Sequence, residues 1–319
     1  MSAEIPPIIG ASRAMRRATR LVERFAPTGL PILLVGATGT GKELFARHIH
    51  SLSRRRGALV DVNCGALPQE IAESLLFGHR RGAFTGAVES VIGHLERAHA
   101  GTLFLDEVLH LSLSAQVKLL RVLETGEVQP LGAGLKHAVN FRVVSAAQED
   151  TPQQLDRGLF RHDLFQRLAG VVINLPLLID RPEDIVPLAE HFAALQRQVL
   201  EPGSEIVLQG YSWPGNVREL RLAIERAACL VDNGSLPPGA LRDAIALGMP
   251  KDRRSKRRLR GGGRRANLSH DLKRQLAVFE SHGRDARRAA AALEISLSTF
   301  YARLKRAGVS VRAVRNGQN

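Results

Sequence analysis

The sequence predicts an α/β protein in which a mainly parallel sheet lies between helices, followed by a helical lid and a small all-helical domain. Three observations carry this. The apolar run 31–35 ends in a glycine-rich loop from which the amphipathic segment 44–51 leaves at once, giving strand, loop and helix in succession. Strand and helix patterns then alternate to about residue 176, as a parallel sheet with helical crossovers requires. From about Leu177 the strand patterns stop, helical periodicity runs through 185–199 and 217–231, and three short helical patterns close the chain. The expected division is 1–176 for the α/β core, 177–248 for the lid, 249–267 for a linker and 268–319 for the last domain.

The first loop has the composition of a phosphate cradle. In Gly36-Ala37-Thr38-Gly39-Thr40-Gly41-Lys42-Glu43 the glycines let successive N–H groups turn inward, the following helix offers its positive end, and Lys42 can neutralise β and γ phosphates. An ordinary glycine turn fits the pattern alone. The strand before it and the helix after it favour the nucleotide. Where a Ser or Thr hydroxyl commonly follows the lysine to meet Mg²⁺, this chain has Glu43.

Before that loop, 12–25 has helical spacing among arginines; after it, 58–63 reads as a strand and 68–77 as a helix. Gly82-Ala83-Phe84-Thr85-Gly86-Ala87 then sets a phenylalanine among small residues with no packing face, which predicts an exposed, mobile loop tip. The buried-type strand 101–105 ends in Asp106-Glu107. Adjacent acids at a strand end are often a solvated turn, but about 60 residues after a phosphate loop they fit a Walker B pair. The first acid would hold Mg²⁺ through water and the second would polarise the attacking water. A helix over 114–124 and a strand over 140–147 continue the alternation. Arg161 and Arg167, six apart, would face different sides of one helix and could reach a neighbouring subunit's phosphate.

Charge separates the ends of the chain. The net charge is +14; residues 251–319 hold 19 Lys/Arg and 5 Asp/Glu, while residues 1–250 hold 26 of each. A basic end on a neutral body points to nucleic acid there, with a solubilising tail as the plain alternative. The stretch 251–265, with nine Lys/Arg and three consecutive glycines, has no apolar face and reads as an extended linker. The patterns at 272–282, 286–293 and 298–307 form a helix-turn-helix arrangement. Arg287, Arg288, Ser298, Thr299, Tyr301, Arg303, Lys305 and Arg306 are its DNA-contact candidates, and a three-helix packing without DNA is the alternative. No apolar run reaches membrane-spanning length and no leader pattern opens the sequence, so a cytoplasmic protein is expected. Cys64 and Cys229 lack neighbours at metal-ligand spacing and are read as packed thiols.

Together these motifs resemble the bacterial sigma-54-dependent transcriptional activators, AAA+ ATPases with a Fis-type helix-turn-helix, over nearly the whole chain. That family's phosphate loop carries Glu after the lysine, and its loop hexapeptide matches 82–87 letter for letter. The resemblance implies an ATPase using ATP and Mg²⁺, with Asp106 and Glu107 as Walker B and with Phe84 and Thr85 touching sigma-54. It implies that Asn63 restrains the catalytic glutamate, that Arg161 and Arg167 act as trans arginine fingers, and that Arg218 in Trp213-Pro214-Gly215-Asn216-Val217-Arg218 is the sensor II arginine. Expected partners are sigma-54 RNA polymerase, upstream double-stranded DNA and further copies in a hexameric ring, with a related co-subunit or a separate inhibitor as regulator.

Two departures from the family pattern stand out. Gln148 takes the sensor I position in Ala146-Ala147-Gln148, a trait similar to a subgroup of activators of plant-pathogen type III secretion genes. Leu177-Leu178-Ile179-Asp180-Arg181 replaces the usual core–lid junction. About eight residues precede the core, so no receiver, GAF or PAS domain is expected ahead of it. A remodeller of another protein target and a DNA-binding regulator with a vestigial ATPase domain are the other readings.

Overall fold

The computed structural model describes residues 5–148, 151–232 and 234–249, with position 290. The linker from residue 250 and the helix-turn-helix candidates Arg287, Arg288, Ser298, Thr299, Tyr301, Arg303, Lys305 and Arg306 lie outside the described residues. No described helix is long and apolar enough to cross a membrane.

The core opens with α1 (Arg13–Phe25), β1 (Ile32–Val35), α2 (Lys42–Leu52) and β2 (Leu59–Asn63). A helix, α3 (Gln69–Phe77), then leads into a small antiparallel hairpin, β3 (Gly78–His79) and β4 (Val91–Ile92), followed by α4 (His94–Arg97). Next come β5 (Thr102–Asp106), α5 (Leu113–Thr125), a second hairpin of β6 (Glu127–Val128) and β7 (His137–Ala138), and β8 (Arg142–Ala147). The core ends with α6 (Thr151–Asp156), α7 (His162–Leu168) and β9 (Val171–Asn174).

Five strands form one parallel sheet in the order β2-β5-β8-β1-β9. Successive side chains point to opposite faces of a strand, and the two hydrophobic layers divide accordingly. Leu33, Leu103, Leu105 and Val143 pack under α3, α5 and α7, whereas Ile32, Leu34, Phe104, Val144 and Ala146 pack under α1 and α2. All five strands run the same way, so their carboxyl ends collect at one edge, where ligands bind in sheets of this kind.

The lid comprises α8 (Ile185–Leu195), β10 (Val199–Leu200), α9 (Ser204–Gln209), α10 (Asn216–Ala228), β11 (Ser235–Leu236) and α11 (Pro238–Gly248). Its own core gathers around Trp213, Leu220 and Ile224, and the Trp213 indole N–H donates to the Leu208 carbonyl at 2.8 Å. The all-helical expectation needs one correction: β10 and β11 pair in parallel. Two residues each are too few for a periodic signal.

Candidate nucleotide site

The predicted phosphate loop spans the gap between β1 and α2 at the carboxyl edge of the sheet. Gly41 takes a left-handed φ of 107° before α2, and no side chain caps that helix, which leaves its first N–H groups facing the loop. Lys42 is buried, and its Nζ donates to the carbonyls of Gly36 at 2.7 Å and Ala37 at 3.1 Å. Burial lowers the Lys42 pKa, while the nearby Asp106 and Glu107 raise it and Arg218 lowers it further. The ammonium is thus held inside the loop, with two carboxylates close by.

Those carboxylates come from the end of β5, whose Asp106 pairs in register with Asn63 of β2. Burial raises the Asp106 pKa against the lowering effects of the Glu107 backbone N–H, which donates to Asp106 Oδ1 at 3.0 Å, and of Lys42; Glu107 and Glu43 push it up again. Glu107 has φ 52° and ψ 43°. A left-handed backbone costs a non-glycine residue about 1–2 kcal/mol, a kind of strain that clusters at functional sites. Asp61 lies close enough to be raised by burial and by Glu43 and Asp106. An Asp106 carboxylate short of solvation suits a cation. Among the described residues no three His, Cys, Asp or Glu are grouped to hold a metal.

Asn63 Oδ1 accepts from the Ala66 N–H at 3.0 Å. A Cβ on the intervening Gly65 would collide with Glu107 Oε2 and lie 3.4 Å from Asn63 Oδ1, so both side chains flank the same glycine. Gln148, half-buried, directly follows β8, and its carbonyl accepts from Thr151 Oγ1 at 2.7 Å.

The lid closes over the loop through backbone contacts. The N–H groups of Val217 and Arg218 both point to the Gly39 carbonyl, at 3.0 and 3.4 Å. Gly39 has φ 81°, and any Cβ there would strike the Gly215 carbonyl, so glycine is required on both counts. Asn216, buried at φ 53°, donates from Nδ2 to the Thr38 carbonyl at 3.0 Å and accepts at Oδ1 from the Leu178 N–H at 2.9 Å. Arg181 reaches the Thr40 carbonyl at 3.4 Å and lies 3.8 Å from Asp184. Asp184 in turn accepts from the N–H groups of Ala11 and Ser12 at 2.6 and 2.7 Å and from Ser12 Oγ at 2.7 Å. The altered junction 177–181 therefore keeps a physical link between core and lid. Sequence reasoning singled out Arg218 and missed Asn216, Arg181, Asp184 and Ser12, whose signal was only a polar residue at an otherwise buried position.

Arg161 and Arg167 are not two positions of one helix, as their spacing assumed. Arg161 precedes α7, with its guanidinium on Asp163 at 3.0 and 2.7 Å; Arg167 sits in the last turn and donates to the Leu123 carbonyl at 2.8 Å. Both are exposed, and neither is bonded to Lys42 or Asp106.

The 82–87 hexapeptide lies between β3 and β4. It is tied by Gly82 N–H to the Ala87 carbonyl at 2.9 Å and Ala87 N–H to the Phe84 carbonyl at 3.0 Å. Phe84 is 41% exposed, yet it has a packing partner the sequence did not reveal: its ring meets that of His79 edge-on at 5.0 Å between centroids. His79 is oriented by a 2.7 Å bond between its Nδ1 and Ser74 Oγ. The second hairpin supports this one through Arg80 N–H to the Leu131 carbonyl and Leu131 N–H to the Gly78 carbonyl, both 2.9 Å.

Residues 8–174 match the sigma-54 interaction domain, and residues 180–258 match the AAA+ ATPase lid domain. The C4-dicarboxylate transport transcriptional regulatory protein DctD of Rhizobium meliloti is 39% identical over 312 residues, 95% of this chain and 65% of its own length. The sigma54-dependent transcriptional regulator SfnR of Pseudomonas fluorescens is 44% identical over 229 residues, 69% of this chain and 62% of its own. This chain thus spans less than two thirds of either relative. Among solved structures, NtrX from Brucella abortus in complex with ADP superposes with a TM-score of 0.71 at 31% identity, covering 95% of this chain and 70% of that one. The chain therefore belongs to the sigma-54-dependent transcriptional activators, and its parallel-sheet core and lid are an AAA+ ATPase domain.

Proposed function

We propose that this chain is an ATP-driven activator of sigma-54 RNA polymerase that binds upstream DNA through 268–308 and works as a hexameric ring in the bacterial cytoplasm. One observation supports it above the others. Lys42, Asp106 and Glu107 converge at the carboxyl edge of the sheet under the lid, while Phe84 and Thr85 stand exposed on a separate hairpin. That arrangement supports reading an energy-releasing site and a presenting loop on one core.

In this reading the N–H groups of 36–43 and the Lys42 ammonium hold the phosphates, and Arg218 and Gln148 report on the nucleotide. Asp106 would hold a Mg²⁺, which when bound would neutralise charge on the β and γ phosphates. Glu107 accepts the proton of the attacking water. Arg161 and Arg167 of the next subunit complete the site, and arginine fingers are worth roughly 10³–10⁵ in rate. Turnover therefore depends on assembly. Different contacts in the ATP and ADP states shift the 82–87 loop, which passes the change to sigma-54.

The test pairs two variants. Glu107→Gln is expected to bind ATP without releasing phosphate. Thr85→Ala is expected to keep ATP turnover and lose transcription from a sigma-54 promoter in a purified system. Full transcription from Thr85→Ala would sink the assignment of the loop, and turnover by Glu107→Gln would sink that of the base.

A further inference from the structure

Helix α1 carries five arginines on one stripe. At about 100° per residue, Arg13, Arg16, Arg17, Arg20 and Arg24 fall within an arc of about 100°, opposite the buried Met15, Ala18 and Val22. All five are exposed. Among the described residues none of their side chains has an ion pair or hydrogen bond; Arg24 lies over the ring of its neighbour Phe25 at 5.9 Å. Glu23 is the helix's one acid.

The neutrality of residues 1–250 conceals this asymmetry. Residues 1–56 hold 10 Lys/Arg and 3 Asp/Glu, a net of +7, against 16 and 23, a net of −7, in residues 57–250. Arg55 sits close enough to Arg142, whose guanidinium meets the end of α1, to lower its pKa, and Arg54 and Arg56 on either side of Arg55 are exposed. The helix is also fixed at both ends. Asp184 holds Ala11 and Ser12 before its first turn, and the Arg142 guanidinium donates to the carbonyls of Phe25, Ala26, Thr28 and Leu30 after its last. With the backbone of the helix already held, binding has only the arginine side chains left to order.

We propose that the arginine stripe of α1 binds the phosphate backbone of duplex DNA without reading its sequence, as a contact separate from the C-terminal segment. The stripe extends over 11 residue steps, about 16 Å, and B-DNA presents one charge per about 1.7 Å of axis. An acidic protein fits less well, because protein interfaces are built on desolvated apolar or aromatic anchors. Besides Arg and Glu23, the only exposed side chain on α1 is Ala14.

The experiment measures binding of the full chain to a labelled 30-base-pair duplex of arbitrary sequence by anisotropy at about 50–200 mM salt, the range over which phosphate contacts show their salt dependence. The comparison is with an Arg13→Gln, Arg17→Gln, Arg20→Gln, Arg24→Gln variant. Four lost phosphate contacts at about 0.9 each make the log–log salt slope shallower by about 3.6, with ATP turnover in the absence of DNA unchanged. An unchanged slope overturns the proposal, and so does a variant that keeps its DNA binding but loses binding to polyglutamate. If the quadruple variant does not fold, Arg20→Gln with Arg24→Gln answers the same question, with an expected change of about 1.8. Both proteins share residues 251–319, so the difference is independent of whether that segment binds DNA.

Discussion

Arg142 is a buried cation whose partners are all carbonyls. Burial and the neighbouring Arg55 lower its pKa to about 10, so it stays charged at neutral pH and caps the end of α1. Arg142→Met removes the charged donor from those carbonyls, of which Phe25 keeps the Thr28 N–H and hydroxyl. A hydrogen bond to a charged group is worth about 1.5–3 kcal/mol, so a loss of about 3 kcal/mol is expected in urea unfolding, with Arg142→Lys recovering only part because the planar fork is gone. A variant as stable as the parent would show that the cap contributes nothing.

Asp106 carries a prediction with a definite sign. Burial holds its carboxyl above the ordinary range, so the folded state binds that proton more tightly than the unfolded chain does. This contribution lowers stability as pH rises from about 4 through the raised value. Asp106→Asn should therefore gain urea midpoint relative to the parent as pH rises from about 4, while abolishing ATP hydrolysis. Superimposable profiles would contradict the desolvation argument. For the thiols, burial is the first cause that pushes Cys64 up, whereas Cys229, expected from the sequence to be packed, is exposed near the end of α10. One equivalent of a thiol reagent should react with the native chain and a second only on unfolding; two fast equivalents would mean that Cys64 is accessible.

Between elements, the staple from α10 to the phosphate loop is the junction that matters most. Asn216→Gly keeps the positive φ available and removes both side-chain bonds, to Thr38 and Leu178. Two lost buried hydrogen bonds predict a stability loss of about 2 kcal/mol and, because the loop loses its support, at least tenfold weaker ATP binding by titration. Unchanged affinity would mean that the loop holds its shape without the lid.

The same junction shows where sequence reading stopped. The loop 36–43 and the pair Asp106-Glu107 are legible because their geometry is local: glycines, a strand end and a helix start, all within a few positions. The staple joins Asn216 to Thr38 and Ser12 to Asp184 across more than 170 positions, and no periodicity encodes such a contact. Arg142 is hidden for another reason, since one arginine in a strand reads as an outward-facing residue. Phe84 read as unsupported because its partner, His79, is five residues away around a hairpin.

At the scale of the whole molecule, the active unit is expected to be larger than the chain. Lys42→Ala and Arg161→Ala should each be inactive, but a mixture should regain part of the turnover, because some seams then pair an intact loop with an intact arginine. No recovery at any ratio would place Arg161 outside the shared site. Specific activity rising with protein concentration is the accompanying expectation for the parent.

Asp184 touches Ala11 and Ser12 on one side and Arg181 on the other, and Arg181 reaches Thr40. The segment before α1 is therefore tied to the phosphate loop. A load applied ahead of Ala11, by a fused domain or a bound regulator, has a route of three side chains to the phosphate cradle. A pull on that segment is expected to change ATP binding with no contact to the nucleotide.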